Sequence, residues 1–239
     1  QSNWYKSVSP PGDLQQYQYS SRCPGPFLRE EFEFADLKGK RVLDLGCGAG
    51  VLSCVLAKHG SITTAIDLTT NGTKLTTSNA ALQGLTIDVV NCDAEKMPFA
   101  DKSFDYVFTW GVIHHSRSTE SIAKEIYRVL VPEGKGTAMV YHRSSFVYYL
   151  KGLWMLLLRR KIFAGDTLET AQRYYVDGFY HRHFTKFELK DCFAGAILEI
   201  TEIFATQQQE NFLPLLPNML DKLLKLRFGW YLVAEFIKK

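Results

Sequence analysis

Three aspartates and a run of glycines carry most of the chemistry legible in this sequence. In "VLDLGCGAG", residues 42–50, an apolar stretch holds Asp44 and then Gly46, Gly48 and Gly50. Asp67 closes the next apolar run, "ITTAID", and Asp93 follows a third in "NCDAEKMPF". Glycines at a strand-to-helix turn let a ligand approach the backbone and expose N–H groups at the positive end of the next helix. A carboxylate two residues before such a turn repels a pyrophosphate but favours a ligand bearing ammonium or sulfonium charge. The glycines run G-x-G-x-G, with Val51 where the dinucleotide fingerprint needs a third small residue, so the register is wrong for a nicotinamide cofactor.

S-adenosylmethionine meets these constraints: its carboxylate can take loop N–H bonds, and its amino group suits acidic or carbonyl oxygens. Asp67 stands about 20 residues after the first glycine, the distance at which a carboxylate accepts both hydroxyls of a ribose. Asp93 is expected to accept from an exocyclic adenine amine, with Leu68 and Ala94 on the two faces of the ring.

The reacting face is read from two further stretches. "TWGVIHH" puts Thr109, Trp110 and Gly111 at a strand end, with His114 and His115 on the turn behind it, and "VYHR" puts Tyr141 and His142 at the end of the next strand. Methyl transfer from sulfonium is an in-line displacement that needs its nucleophile within about 3–3.5 Å of the methyl carbon. For a hydroxyl or acidic C–H acceptor, a positioned histidine adds on the order of 10²–10⁴-fold. His115 and His114 are therefore the candidate catalytic residues, the alternative being that they brace the following helix. Thr109 and Trp110 are candidate cofactor contacts, Trp110 is also the candidate substrate wall, and His142 is a candidate substrate contact. His181 and His183 have H-x-H spacing without further ligands, which predicts a surface loop and no metal site.

The elements that must position these residues alternate as in an α/β protein with a parallel sheet. Strands are expected at 41–45, 62–67, 87–91, 106–109 and 136–141. Helices are expected at 51–58, stopped by Gly60, at about 73–82, stopped by Gly84, and at 119–130, stopped by Pro132 and Gly134. Thr185 and Glu188 have the capping-box spacing and begin a later helix. The alternating runs 197–204 and 230–237 predict an antiparallel pair closing one sheet edge.

As a set, "VLDLGCGAG", "AIDLT", "NCDAEKMPF", "FDYVFTWGVIHH" and "RVLVPEGKGTAMVY" resemble the successive motifs of class I S-adenosylmethionine-dependent methyltransferases, in the small-molecule subgroup called type 11. The likeness covers about residues 37–142; "HFTKFELKDCFAG" and "FGWYLVAEFIKK" extend it less specifically. It implies a Rossmann-like, seven-stranded, mostly parallel sheet with helices on both faces, an antiparallel last strand, and cofactor across the carboxyl edge. By the same resemblance Asp44, Gly46, Cys47 and Gly48 fall in the methionine-binding loop, Asp67 and Leu68 at ribose and adenine, and Asp93 and Ala94 at adenine. Glu133 replaces the glycine most usual after the proline of "VPEGKG", which touches a turn and not the cofactor. Charges in the last strand, Glu235, Lys238 and Lys239, are expected to face solvent.

Composition bounds what else the chain is. With 28 Lys and Arg against 25 Asp and Glu, the net charge of +3 is spread thinly, which argues against nucleic acid. Five scattered cysteines without a C-x-x-C pair indicate neither a disulfide framework nor zinc, and the polar opening lacks the order of a signal peptide. These features predict a cytoplasmic monomer or homodimer.

Residues 1–36 are rich in Tyr and Trp, and the resemblance implies that they fold over the cofactor as an N-terminal cap, with Tyr17 at the cofactor and Tyr19 at the substrate. Residues 37–239 form the methyltransferase domain, with cap insertions at about 143–184 and 205–228. Within the first insertion, residues 146–158 are nearly all apolar and precede Arg159, Arg160 and Lys161. That stretch is too short to span a bilayer, which takes about 20 residues. It reads foremost as a buried cap helix, and alternatively as an interfacial helix meeting anionic lipid. The expected activity is methyl transfer from S-adenosylmethionine to a small apolar or aromatic metabolite at oxygen, carbon or nitrogen. The alternatives are a membrane-associated methyltransferase of a quinone or lipid, and a cofactor-binding module without transfer.

Overall fold

A computed structural model describes residues 37–158, 160–172, 180–206 and 218–239. The expected N-terminal cap, with Tyr17 and Tyr19, lies outside the described residues.

The β-branched runs form strands and the stretches between them form helices. In chain order these are β1 (Arg41–Leu45), α1 (Val51–Lys58), β2 (Ile62–Asp67), α2 (Thr70–Leu82), β3 (Asp88–Asn91), β4 (Phe104–Trp110), α3 (Thr119–Val129) and β5 (Leu130–Tyr141). A 3₁₀ turn at Ile113–His115 separates β4 from α3. The second half contributes α4 (Phe146–Leu157), α5 (Leu168–Gln172), α6 (Lys186–Ala194), β6 (Leu198–Thr206), α7 (Asn218–Phe228) and β7 (Tyr231–Lys238). Helix starts follow local chemistry: Thr69 caps α2 by accepting from Gly72 N, and Ser145 caps α4 by accepting from Tyr148 N. Thr185 and Glu188 make both halves of the capping box on α6.

The seven strands form one sheet in the order β3-β2-β1-β4-β5-β7-β6. The first five are parallel, and β7 pairs antiparallel with both β5 and β6. The chain leaves β1 toward β2 and β3, then returns to β4 on the other side of β1. This reversal makes the β1/β4 boundary the switch point at whose carboxyl edge ligands bind in open α/β sheets. Leu43, Leu45, Ile66, Val107, Ile126 and Val140 form part of the core under that edge.

Three expectations are corrected. First, β5 begins at Leu130, six residues earlier than expected: Leu130 pairs with Phe104, and the irregular register between Phe104 and Tyr106 absorbs the "VPEGKG" segment, where Glu133 takes a φ of 60°. Second, Lys238 does not face solvent. It is buried, and its Nζ donates to the carbonyls of Tyr127 (2.7 Å) and Leu130 (2.8 Å) where α3 gives way to β5. Third, α4 buries only a narrow face of its apolar surface. It turns Tyr148, Gly152 and Met155 inward, because a side chain at Gly152 would meet Leu168 Cδ2 at 2.4 Å, while Tyr149, Leu150, Leu153, Leu157 and Leu158 are exposed. Among the described residues, no helix is long and apolar enough to cross a membrane.

Candidate active site

The loop after β1 is built by backbone conformation. Gly46, Gly48 and Gly50 all have positive φ, at 83°, 54° and 75°. A Cβ on Gly46 would lie 2.1 Å from Val112 Cγ2, so only glycine lets this loop close on the turn after β4 at the switch point. Gly46 N and Cys47 N both donate to the carbonyl of Ile66, and Gly48 N donates to Asp67 Oδ2 at 2.9 Å. Helix α1 then starts without a side-chain cap and without an acid in its first turn, which leaves its positive end facing the loop.

Asp67, at the end of β2, is tied on both oxygens: Oδ1 accepts from Thr69 N (2.8 Å) and Thr69 Oγ1 (2.7 Å). The close approach of α2 to this carboxylate depends on Gly72, where a Cβ would lie 2.7 Å from Asp67 Cγ. Asn91 fixes the next strand end by donating from Nδ2 to the Asp67 carbonyl. Leu68 beside it is 70% exposed, and Asp93, also exposed, accepts from Glu95 N, with Ala94 half-buried between. The segment carrying Asp93 is pinned from behind. Ser116 donates to Glu95, Glu125 accepts from Met97 N, and Arg128 donates to the carbonyls of Met97 and Phe99.

Asp44 sits under the loop. Only 2% exposed, it accepts from Ser53 Oγ at 2.5 Å, and burial first, opposed by the Ser53 bond, raises its pKa to about 6. Cys47 is likewise buried: Thr76 donates to its sulfur, and burial pushes the thiol up. Thr109, expected at the cofactor, is wholly enclosed in the sheet and supports the rim from below, whereas Trp110 is half-buried at its end.

Four histidines gather around Tyr141, at the end of β5. Its ring lies 4.1 Å from that of His114, 6.0 Å from His115, and 5.6 Å from both His181 and His183, centroid to centroid. The two turn histidines are unlike. His115 is half-buried, with Nδ1 3.1 Å from the Tyr180 carbonyl. His114 is fully enclosed, and among the described residues neither ring nitrogen has a hydrogen-bond partner. Burial, then His115, His181 and His183, hold its pKa well below the ordinary histidine value. His142 is also buried, with Nδ1 2.9 Å from the Gly229 carbonyl.

His181 and His183 are not on a surface loop, which corrects the sequence expectation. Both are buried because residues 180–184 run across the rim: Arg182 N donates to the His114 carbonyl and Phe184 N to that of Tyr141, each at 2.8 Å. This alternation turns both imidazoles toward Tyr141 and sends Arg182 over the Phe184 ring. A cleft of about 400 Å³ adjoins this cluster, lined by Arg143, Tyr180, His181, Arg182, His183 and Glu188. Arg143 and Glu188 form an ion pair across it at 2.8 Å. Among the described residues, no group of three or more His, Cys, Asp or Glu is arranged to hold a metal ion. Sequence reasoning missed Ser53, Thr69 and Asn91, which hold the acids, and Arg182, which holds the histidine segment; only the Thr69 capping position carried a local signal.

Residues 43–137 match the family model described as "Methyltransferase domain" of type 11. Together with the sheet order, this places a methyltransferase domain at residues 43–137, on a Rossmann-like sheet of the kind methyltransferases share. The chain is 34% identical over 118 residues to the ubiquinone biosynthesis O-methyltransferase of Coxiella burnetii, a match covering 48% of this chain and 50% of that one. It is 35% identical over 136 residues to the probable phthiotriol/phenolphthiotriol dimycocerosates methyltransferase 2 of Mycobacterium ulcerans, covering 55% and 52%. The match therefore spans about half the length of these curated relatives. Among solved structures, an S-adenosylmethionine-dependent methyltransferase from Mesorhizobium loti superposes with a TM-score of 0.63 over 94% of this chain and 99% of its own, at 17% identity. The [4+2]-cyclase SpnF superposes at 0.59 over 86% and 78%, at 19% identity, a likeness of fold alone.

Proposed function

We propose that this protein transfers a methyl group from S-adenosylmethionine to a hydroxyl of an amphiphilic, largely apolar acceptor. One observation carries the reading: a glycine turn with Asp67 and Asp93 shares a sheet rim with a polar cluster of histidines around Tyr141. The cradle fits the cofactor. Three left-handed glycines shape the turn ahead of α1, and Leu68, next to Asp67, is an exposed apolar residue. When bound, the sulfonium supplies an activated methyl group.

The chain's own residues then have three tasks. The loop 46–50 and Asp67 hold the donor, with Asp93 and Leu68 at its base and Asp44 fixing the loop from below. Trp110 and the cleft beside Tyr141 exclude water and orient the acceptor. His115, half-buried and oriented through its Nδ1 contact to the Tyr180 carbonyl, takes the acceptor proton. His114 supports it as a neutral wall, and His142 is tied to the Gly229 carbonyl behind the site.

A hydroxyl acceptor agrees with the polar lining of the cleft, and an apolar body agrees with the exposed faces of the cap helices. The named relatives act in ubiquinone biosynthesis as an O-methyltransferase and on phthiotriol/phenolphthiotriol dimycocerosates. The test is calorimetric titration of S-adenosylmethionine, followed by a panel of prenylated phenols, quinols and long-chain alcohols read by release of S-adenosylhomocysteine. Absence of cofactor binding overturns the whole reading. Binding without release on any acceptor leaves the module reading, in which the bound sulfonium serves another reaction.

A further inference from the structure

We propose that α4, together with the basic residues that follow it, docks this protein on an anionic lipid surface. Helix α4 is amphipathic the wrong way round. Phe146, Tyr149, Leu150, Leu153, Trp154, Leu157 and Leu158 repeat at the i, i+3, i+4, i+7 spacing that a globular protein buries, and each is at least 37% exposed. Phe163, in the short turn that follows, is 85% exposed. A continuous outward apolar stripe of this kind marks an interaction surface.

Charge selects the partner. From Phe146 to Gly165 the chain carries Lys151, Arg159, Arg160 and Lys161 and no acid. A helix with Trp, Phe and Leu on one side and cations at its end lies in the headgroup region of a bilayer, with its apolar face about 5–10 Å deep. A second copy packed on the same stripe would add four more cations and no acid from this segment, so like charges oppose a twofold dimer there. Helix α7 also carries exposed apolar residues. It exposes Met219, Leu220, Leu223, Leu226 and Phe228, and Trp230, just beyond its end, lies under Lys151 Nζ at 5.1 Å. With no helix among the described residues able to cross the membrane, the attachment is peripheral.

The proposal goes beyond methyl transfer and is tested without an acceptor, so its failure is separable from failure of that reading. The full chain is sedimented with phosphatidylcholine vesicles, with or without phosphatidylglycerol. Binding is expected to the anionic vesicles and to weaken with salt. Replacing Arg159, Arg160 and Lys161 by Gln lowers the partition on the order of 100-fold, at about five-fold per charge. The Leu150→Glu, Leu153→Glu pair lowers it at least about 10-fold, while thermal midpoint and cofactor affinity stay unchanged because both side chains are exposed. If the double variant misfolds, the glutamine variant decides alone. Equal, weak sedimentation with both vesicle types overturns the proposal. So does a wild-type dimer that the Leu153→Glu variant converts to monomer, since the stripe is then covered by a second copy.

Discussion

The carboxylate of Asp67 accepts the backbone N–H of Gly48 at 2.9 Å, so the end of β2 and the turn after β1 are one mechanical unit. The same carboxylate holds Thr69 at the start of α2. Asp67→Ala therefore removes bonds to an ionised group worth about 1.5–3 kcal/mol each in favourable cases. It is expected to lower both urea midpoint and cofactor affinity, the latter by on the order of 10–100-fold by calorimetry. Asp93→Ala, whose carboxylate among the described residues holds only Glu95 N, is expected to lower affinity with little change in midpoint.

Gly46 meets Val112 across the switch point. Gly46→Ala combines a left-handed backbone with a collision, and is expected to destabilise by about 2–5 kcal/mol in denaturant titration. Gly46→Ala with Val112→Ala relieves the collision but not the backbone strain, so recovery is expected to be partial.

The two turn histidines are expected to separate kinetically. His115→Ala lowers kcat by on the order of 10²–10⁴-fold with cofactor affinity intact. His114→Ala instead opens a cavity beside Tyr141 and is read in stability, by about 2–4 kcal/mol. Equal turnover for wild type and His115→Ala removes that residue from proton transfer.

Acid sensitivity follows from the buried imidazoles. Burial, then His181, pushes the His183 pKa down to about 3, and His114 is also held well below its ordinary value. The unfolded chain binds these protons first, so their contribution is full above about pH 6.5 and stability falls as pH drops toward 3. For His183 the slope is up to about 1.4 kcal/mol per pH unit. Asp44, raised to about 6, acts oppositely: between about pH 4 and 6 the folded state binds its proton first, and stability rises as pH falls. The His183→Gln variant is expected to show a shallower loss than wild type over pH 6 to 4, measured by urea midpoints.

Lys238 closes the far end of the sheet. Lys238→Ala leaves the carbonyls of Tyr127 and Leu130 without their shared donor and is expected to destabilise by about 1–3 kcal/mol, a surface lysine being worth far less.

The frame of the proposed cofactor cradle was legible because its determinants are local. Asp44, Asp67 and Asp93 each follow a β-branched run, and Gly46, Gly48 and Gly50 announce the turn; the strands at Arg41–Leu45 and Ile62–Asp67 and the helix at Val51–Lys58 have the expected bounds. The misreadings share another cause. The helix does stop before Pro132 and Gly134, but pairing with β4 draws Leu130 into a strand that starts ahead of them. His181 and His183 look like a surface loop, yet bonds from Arg182 N and Phe184 N to the carbonyls of His114 and Tyr141, 68 and 43 residues away, bury them. Leu153 looks like core, yet Gly152 is the side of α4 that packs. In each case a partner remote in sequence outweighs local pattern.

The strap at 180–184 is fastened through main-chain groups, from Arg182 N to His114 O and from Phe184 N to Tyr141 O. Such stitches are indifferent to which side chains they carry. The scaffold can thus remain constant while positions 181 and 183 drift, so this architecture is suited to inheriting its donor and trading its recipient.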